Sequence, residues 1–465
     1  MNPSFQDLMN RRKFLARGGV GVGALALGSL LKDSAQAAAV PDEFQRIAPK
    51  AKSVIFFHFT GAPSHLDLFD DKPVLRKYDR QLAPEELFEG KRFSFLRGHP
   101  KLLGSPYQFT KHGQGGVELS ELLPNLGTVA DEMCVIKSMH TTEFNHAPAQ
   151  LFFHTGLNRQ GSPSIGSWTT YGLGSESDNL PSYVVFMKGN MPGAGANLWK
   201  SGYLPSVHQG VRLRGRGDPV LYLNNPEGIT REERRRTLDS IEALNRQNYR
   251  LVGDPEIQTR IEQYEMAYRM QASVPDLIDL SSESEATMEM YGSGEFAGQC
   301  LQARRLVERG VRFVELFHGD WDTHSNQNGR LAANCREVDQ PIAALIKDLK
   351  QRGLLDQTLI VWGAEFGRTP MLQGSEEPEK CGRDHQKDAF SIWMAGGGIK
   401  GGVTYGKTND LGNEVVENPT EVRDLHATIL HQLGIDHEKL TYRYQGFDQR
   451  LTGVEEATVL KDVLL

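Results

Sequence analysis

Cysteine is scarce in this chain. Four occur in 465 residues, none in a C-x-x-C pair, which excludes a zinc ribbon or a thioredoxin-like motif. Cys134, Cys300, Cys335 and Cys381 read as buried small hydrophobes, with one or two disulfides permitted but not required. No G-x-x-x-x-G-K-[ST] loop and no G-x-S-x-G elbow is present, which weakens nucleotide-hydrolase and serine-hydrolase readings. Basic charge is also short: 52 Lys and Arg stand against 59 Asp and Glu, a net charge of −7, so nucleic acid is not an expected partner. There is no repeat at a solenoid period. Residues 18–31 are apolar for only about 14 positions, whereas a membrane crossing needs about 20.

What is there begins with an address. Asn10-Arg11-Arg12-Lys13-Phe14-Leu15 is a twin-arginine core, followed by the Gly-rich stretch 18–31 and the small-residue site Ala35-Gln36-Ala37. Residues 1–39 are therefore expected to be a twin-arginine signal segment. The folded chain, 40–465, is expected to reach a periplasmic or other extracytoplasmic compartment. No stable membrane span is expected if the signal is cleaved; an uncleaved signal tethers the protein.

Beyond the signal, short apolar runs alternate with helical patterns. Residues 53–59 (S-V-I-F-F-H-F), 134–139, 182–187, 311–317, 358–362 and 390–395 read as strands. Residues 118–133 (broken near Pro124), 148–153 (stopped at Gly156), 296–309, 330–350 and 421–433 read as helices. The alternation predicts an α/β fold: a doubly wound, largely parallel central sheet with helices on both faces. Residues at about 189–295 read as a loop-rich and helical insertion, and its Arg231 to Arg236 run as a solvated helix face.

Three polar clusters abut these strands, where open α/β sheets bind ligands. Asp320 and His324 are four apart, so one turn or a compact loop aims both at one point; with His385 they offer two imidazoles and a carboxylate, a set suited to zinc. Alternatively Asp320 and Asp322 cap a following helix and His324 is a surface histidine. Glu365 follows the 359–362 strand, where Gly363, Gly367 and Pro370 predict a tight turn; Arg368 either holds an anionic substrate oxygen or pairs with Glu365. Asp384 either orients His385 or is itself a ligand. After the first strand, His65 and Asp67 can face one side of an extended segment. Asn145 and His146 precede a helix N-terminus, a position that favours anions. His58, inside a strand, reads as a core histidine.

Taken together, F-T-G-A-P-S-H-L-D-L-F-D from Phe59, M-H-T-T-E-F-N-H-A-P-A-Q from Met139, G-D-W-D-T-H from Gly319, W-G-A-E-F-G-R-T-P from Trp362 and G-R-D-H from Gly382 resemble a known family. It is the twin-arginine-exported, sulfatase-like domain-of-unknown-function 1501 family, a branch of the alkaline phosphatase superfamily. The resemblance implies hydrolysis of phosphate or sulfate esters with one or two metals. Asp320 and His324 resemble that superfamily's Asp-x-x-x-His ligands, and His385 its later histidine. Glu365 stands where a strand-end Asp is expected, Phe366 replaces a further ligand, and Asp67 is the nearest candidate for the first-strand Asp. The segment from Asn145 to Gly156 is similar to the one that carries the sulfatase nucleophile, but His146 occupies the nucleophile position and Gln150 the arginine position. The resulting expectation is an exported metal-dependent ester hydrolase, with zinc or calcium bound and a small-molecule or polysaccharide ester as substrate. Metal ligands are expected from Asp320, His324, His385, Glu365 and Asp67, and catalytic roles from His146, Asn145 and Arg368. The competing expectation is a non-catalytic carbohydrate- or anion-binding protein on the same scaffold.

Overall fold

The structure is a computed structural model that describes residues 47–91, 93–214, 225–226, 228–254 and 256–465. The signal expected over 1–39 lies outside the described residues. No helix among the described residues is long and apolar enough to cross a membrane.

Apolar runs form the central strands of one main sheet, and a further pair of strands lies outside it. In chain order they are β1 (Ser53–Phe59), β2 (Met133–His140), β3 (Tyr183–Lys188), β4 (Val211–Arg212), β5 (Phe313–His318), β6 (Thr358–Gly363), β7 (Gly367–Gly374), β8 (Cys381–Gln386), β9 (Phe390–Ala395), β10 (Val403–Tyr405) and β11 (Thr420–Glu421). The sheet runs β10-β2-β9-β6-β1-β5-β3-β4, with β11 paired to β2. β1 lies between β5 and β6 and is parallel to both, with Phe59 opposite His318 and His58 opposite Gly363. Only β9 runs against its neighbours β2 and β6. β7 and β8 leave the sheet and pair with each other antiparallel.

Successive strand side chains point to opposite faces, and both faces are covered. Ile55, Phe57 and Phe59 pack on one side among residues of α5 (Glu295–Glu308) and α6 (Gln327–Gln351). Val54 and Phe56 pack on the other, among residues of α1 (His146–Thr155), α2 (Ile165–Leu173) and α7 (Val422–Gln432). Each such buried aliphatic or aromatic side chain contributes about 1.5–3 kcal/mol. The segment between β3 and β5 contains a helical hairpin, α3 (Arg231–Val252) and α4 (Glu256–Ile278). α3 opens on a capping box between Thr230 and Glu233 and buries only Leu238, so its arginine run is largely solvated.

Two local expectations change. Residues 118–133 are not one helix: Val117–Ser120 is a strand paired with Phe109–His112, and a short helix, Pro124–Gly127, starts only at the proline. Proline fits the first helical turn, where its missing N–H leaves no bond unmade, but not a helix interior. The turn expected around Gly367 and Pro370 is strand β7, and Arg368 lies on it opposite His385 of β8.

Candidate metal centre

β1, β5 and β6 end side by side, and the loops that follow them meet. Gly61, after β1, has φ +107°, and a Cβ there would lie 2.4 Å from the Asp322 nitrogen, so only glycine lets the β5 loop approach this closely. The β5 loop is anchored by Trp321, whose indole is 1% exposed, stacks on Phe59 at 4.9 Å and donates to His318 Nδ1 at 3.0 Å. The left-handed backbone at Asp320 parts the two acidic neighbours of Trp321. Asp320 is exposed, with φ +70° and Asn190 3.4 Å from its carboxylate, while Asp322 faces the space between the loops.

His146, Asp322, His324 and His385 converge there, each offering one ligand atom, all within 4.8 Å of one another. His146 is the first residue of α1, Asp322 and His324 follow β5, and His385 lies on β8. A Cβ on Gly382 would lie 2.2 Å from the His324 carbonyl carbon, so the β8 strand and the β5 loop touch backbone to backbone.

The imidazoles share one orientation. His146 Nδ1 lies 2.7 Å from Glu365 Oε1, His324 Nδ1 2.6 Å from Gln373 Oε1, and His385 Nδ1 2.8 Å from the Phe144 carbonyl. These oxygens accept hydrogen bonds, so each Nδ1 carries a proton and Nε2 is the atom left to hold a metal ion, which in His146 must displace a second proton. The Nε2 atoms point inward, to within 3.2, 2.8 and 3.6 Å of Asp322 Oδ1 for His146, His324 and His385. His324 Nε2 and His385 Nε2 are 3.0 Å apart. Two lone pairs at that distance repel unless a proton or a cation lies with them. In a tetrahedral centre with ligand bonds of about 2.0–2.1 Å, ligand atoms stand about 3.3 Å apart. The separations to Asp322 Oδ1 and between His324 and His385 bracket that value, so these four residues could hold a metal ion.

Glu365 backs this cluster. It is fully buried, and its Oε1 accepts from the Gly61 N–H and the Gln150 amide, both at 3.0 Å, besides His146. Burial pushes its carboxyl up, but His146 and His58 hold it well below the usual carboxylate range. Burial likewise opposes the charge of His146, yet hydrogen bonds to Asp322 and Glu365 raise it to about 9. Asp322 is held far below the carboxylate range: burial raises it, and the three histidines and Arg368 outweigh that.

The other expected residues stand elsewhere. Arg368 is fully buried, with Nε and Nη1 on the Ala62 and Arg383 carbonyls and Nη2 on the Gly61 carbonyl and Asp322 Oδ1, so its donors are engaged within the protein and it fixes Asp322. Asp67 is not a ligand in this arrangement: Arg383 and Gln327 occupy both its oxygens, at 2.9, 3.2 and 2.7 Å. Asp320 is displaced as described, and Glu365 reaches the cluster only through His146. Asn145 is exposed and caps α1 through its backbone, its carbonyl accepting from Ala149 N–H. Asp384 accepts from the Phe95 and Leu96 N–H groups at 2.7 and 2.9 Å, holding that segment across the site, where Phe95 packs edge-on against His324. Sequence reasoning missed Asp322. No local signal separated it from Asp320, because residues two apart share one side of an extended segment and the left-handed backbone at Asp320 is what parts them.

Residues 51–464 match a family described as "Protein of unknown function (DUF1501)". No curated protein matches the chain. Among solved structures, the chain is similar to the lipoteichoic acid synthase LtaP from Listeria monocytogenes (11% identity over 90% of this chain and 78% of that one, TM-score 0.35). It is also similar to the alkaline phosphatase from the Antarctic bacterium TAB5 (12%, 77% and 94%, TM-score 0.32) and to the PsFucS1 sulfatase from Pseudoalteromonas sp. (11%, 85% and 69%, TM-score 0.34).

Proposed function

Starting from a chain that belongs to the DUF1501 family, whose description assigns no activity, we propose an exported metal-dependent hydrolase of sulfate or phosphate esters. One observation carries this reading: three Nε2 atoms and Asp322 Oδ1 meet in one space, each imidazole held from behind by an acceptor on Nδ1. His146, Asp322, His324 and His385 hold the ion. The nitrogen-rich set favours zinc over calcium, which takes six to eight oxygen ligands. A bound zinc supplies polarisation of the ester oxygen and a lowered pKa for water.

The chain's own residues do the rest. Glu365 keeps the His146 proton on Nδ1, and Arg368 fixes the Asp322 carboxylate. With His146 facing the cluster at the start of α1, no hydroxyl or thiol occupies that position, which supports direct attack by water. A cleft of about 750 Å³ opens at His385 and is lined by Phe93, Phe144 and His140. Its Lys91 pairs with Glu414 and its Lys387 with Asp388, so the wall is balanced in charge and suits a polar, uncharged leaving group. Export rests on the Arg11-Arg12 motif.

The test is metal analysis of protein purified without added metal, followed by turnover on panels of sulfate and phosphate esters. Near-stoichiometric zinc, lost in His324→Ala together with ester turnover, is the expected result. Zinc binding without turnover on either panel favours the carbohydrate- or anion-binding reading, and no zinc in either protein overturns the metal centre.

A further inference from the structure

Below the metal centre, the sheet face that carries α1 buries several titratable side chains, of which the proposed chemistry uses only Glu365. His58, His154, Glu315 and Glu365 are fully buried, with Tyr183 beside them, in a core otherwise built from Phe56, Phe153, Phe313 and Phe317. Apolar residues of the same volume would be tolerated at least as well in such a place. Their arrangement follows α1. His146, Gln150 and His154 stand at i, i+4 and i+8 and so share one face of the helix.

That polar stripe is tied to two buried glutamates. His146 and Gln150 both reach Glu365 Oε1, at 2.7 and 3.0 Å. His154 Nε2 lies 2.8 Å from Glu315 Oε1, and Glu315 Oε2 accepts the Tyr183 hydroxyl. His58 links the two pairs, 3.3 Å from Glu365 Oε2 and edge-on to His154 with ring centroids 4.5 Å apart. His154 Nδ1 lies 3.1 Å from the Gln150 carbonyl, which only accepts, so Nδ1 carries a proton. A close approach of Nε2 to Oε1 then requires a second proton on one of the two atoms, neither of which has another hydrogen-bond partner.

We propose that Glu315, acting through His154, is a positioning residue for the metal centre: the Glu315–His154 and Glu365–Gln150 contacts fix the rotation and height of α1, and with them the ring of His146. This rests on the metal reading above. Burial pushes the Glu315 carboxyl up to about 8 against the lowering effect of Tyr183, and burial holds His154 well below its ordinary value. The pair therefore carries one proton, on Glu315, and no net charge. An amide can reproduce that donor.

The experiment compares Zn2+ affinity by chelator competition and the visible absorption of the Co2+-loaded protein in wild type, Glu315→Gln, Glu315→Leu and Tyr183→Phe. Glu315→Leu is expected to weaken Zn2+ binding about tenfold, the lower end of what outer-shell changes cause, and to shift the Co2+ bands. Glu315→Gln, which still donates to His154, is expected to keep wild-type affinity and bands. Tyr183→Phe, which removes one hydroxyl, is expected to shift the bands in the same sense as Glu315→Leu and serves alone if that variant does not fold. Wild-type affinity and bands in Glu315→Leu or Tyr183→Phe, with only a lower melting temperature, overturn the proposal, as does a Glu315→Gln variant as impaired as Glu315→Leu. A wild-type protein that takes up neither Zn2+ nor Co2+ overturns the metal reading itself.

Discussion

Asp322 Oδ1 faces three imidazoles and the Arg368 guanidinium, whereas Asp320, two residues earlier, faces solvent and Asn190. The two carboxylates are chemically identical, so exchanging each for its amide isolates position. Asp322→Asn is expected to reduce zinc affinity by at least tenfold, and Asp320→Asn to leave it unchanged; metal content after dialysis distinguishes them, and equal losses would contradict the assignment. Away from the site, burial pushes His65 and His426 down to about 4. Each stays neutral when folded but takes a proton near pH 6.5 when unfolded. Their stabilisation is thus full above about 6.5 and falls as the pH drops toward 4, by about 2 kcal/mol each at pH 5. Urea unfolding at pH 7.5 and pH 5 should show the midpoint falling on acidification, and a flat profile would speak against it.

At the level of elements, the site depends on backbones that come very close. β8 meets the β5 loop at Gly382, so a methyl group there must move either His324 or His385. Gly382→Ala is expected to destabilise the fold by about 1–3 kcal/mol, in the range of overpacking, and to lower metal affinity as well. Gly353→Ala provides the contrast, because nothing lies within 4 Å of an added Cβ there and any loss comes only from its φ of +68°. Thermal melts and metal titration of the two variants measure both effects, and equal zinc affinity in both would show that the contact does not set the site. The β7–β8 pair itself was not foreseen. Pro370 and the glycines of that stretch read as a turn, but β7 lies outside the main sheet, where a missing proline N–H leaves no central ladder broken.

Taken whole, the molecule draws the four residues of the candidate metal centre from α1, the β5 loop and β8, which span residues 146 to 385. An ion bound only by the folded chain stabilises it by about 2.7 kcal/mol at a hundredfold excess over Kd. Zinc is therefore expected to raise the melting temperature by several degrees, and a chelator to lower it. Asp322→Asn should lose most of that shift, and a melting temperature indifferent to zinc and chelator would count against a site built from three parts of the chain.

The alternation of buried runs and helical patterns was enough to place the central strands and their α/β order, because a strand covered on both faces reads as a near-continuous apolar run. His324, His385, His146 and Glu365 stood out as polar residues where those runs stop. Which of them meet was decided only by tertiary structure. Trp321 packing on Phe59 anchors the loop while the left-handed backbone at Asp320 parts it from Asp322, Arg383 claims Asp67, and the Gly61 turn claims Arg368. These outcomes depend on partners far away in the chain, and local spacing carries no record of which carboxylate a distant arginine will neutralise.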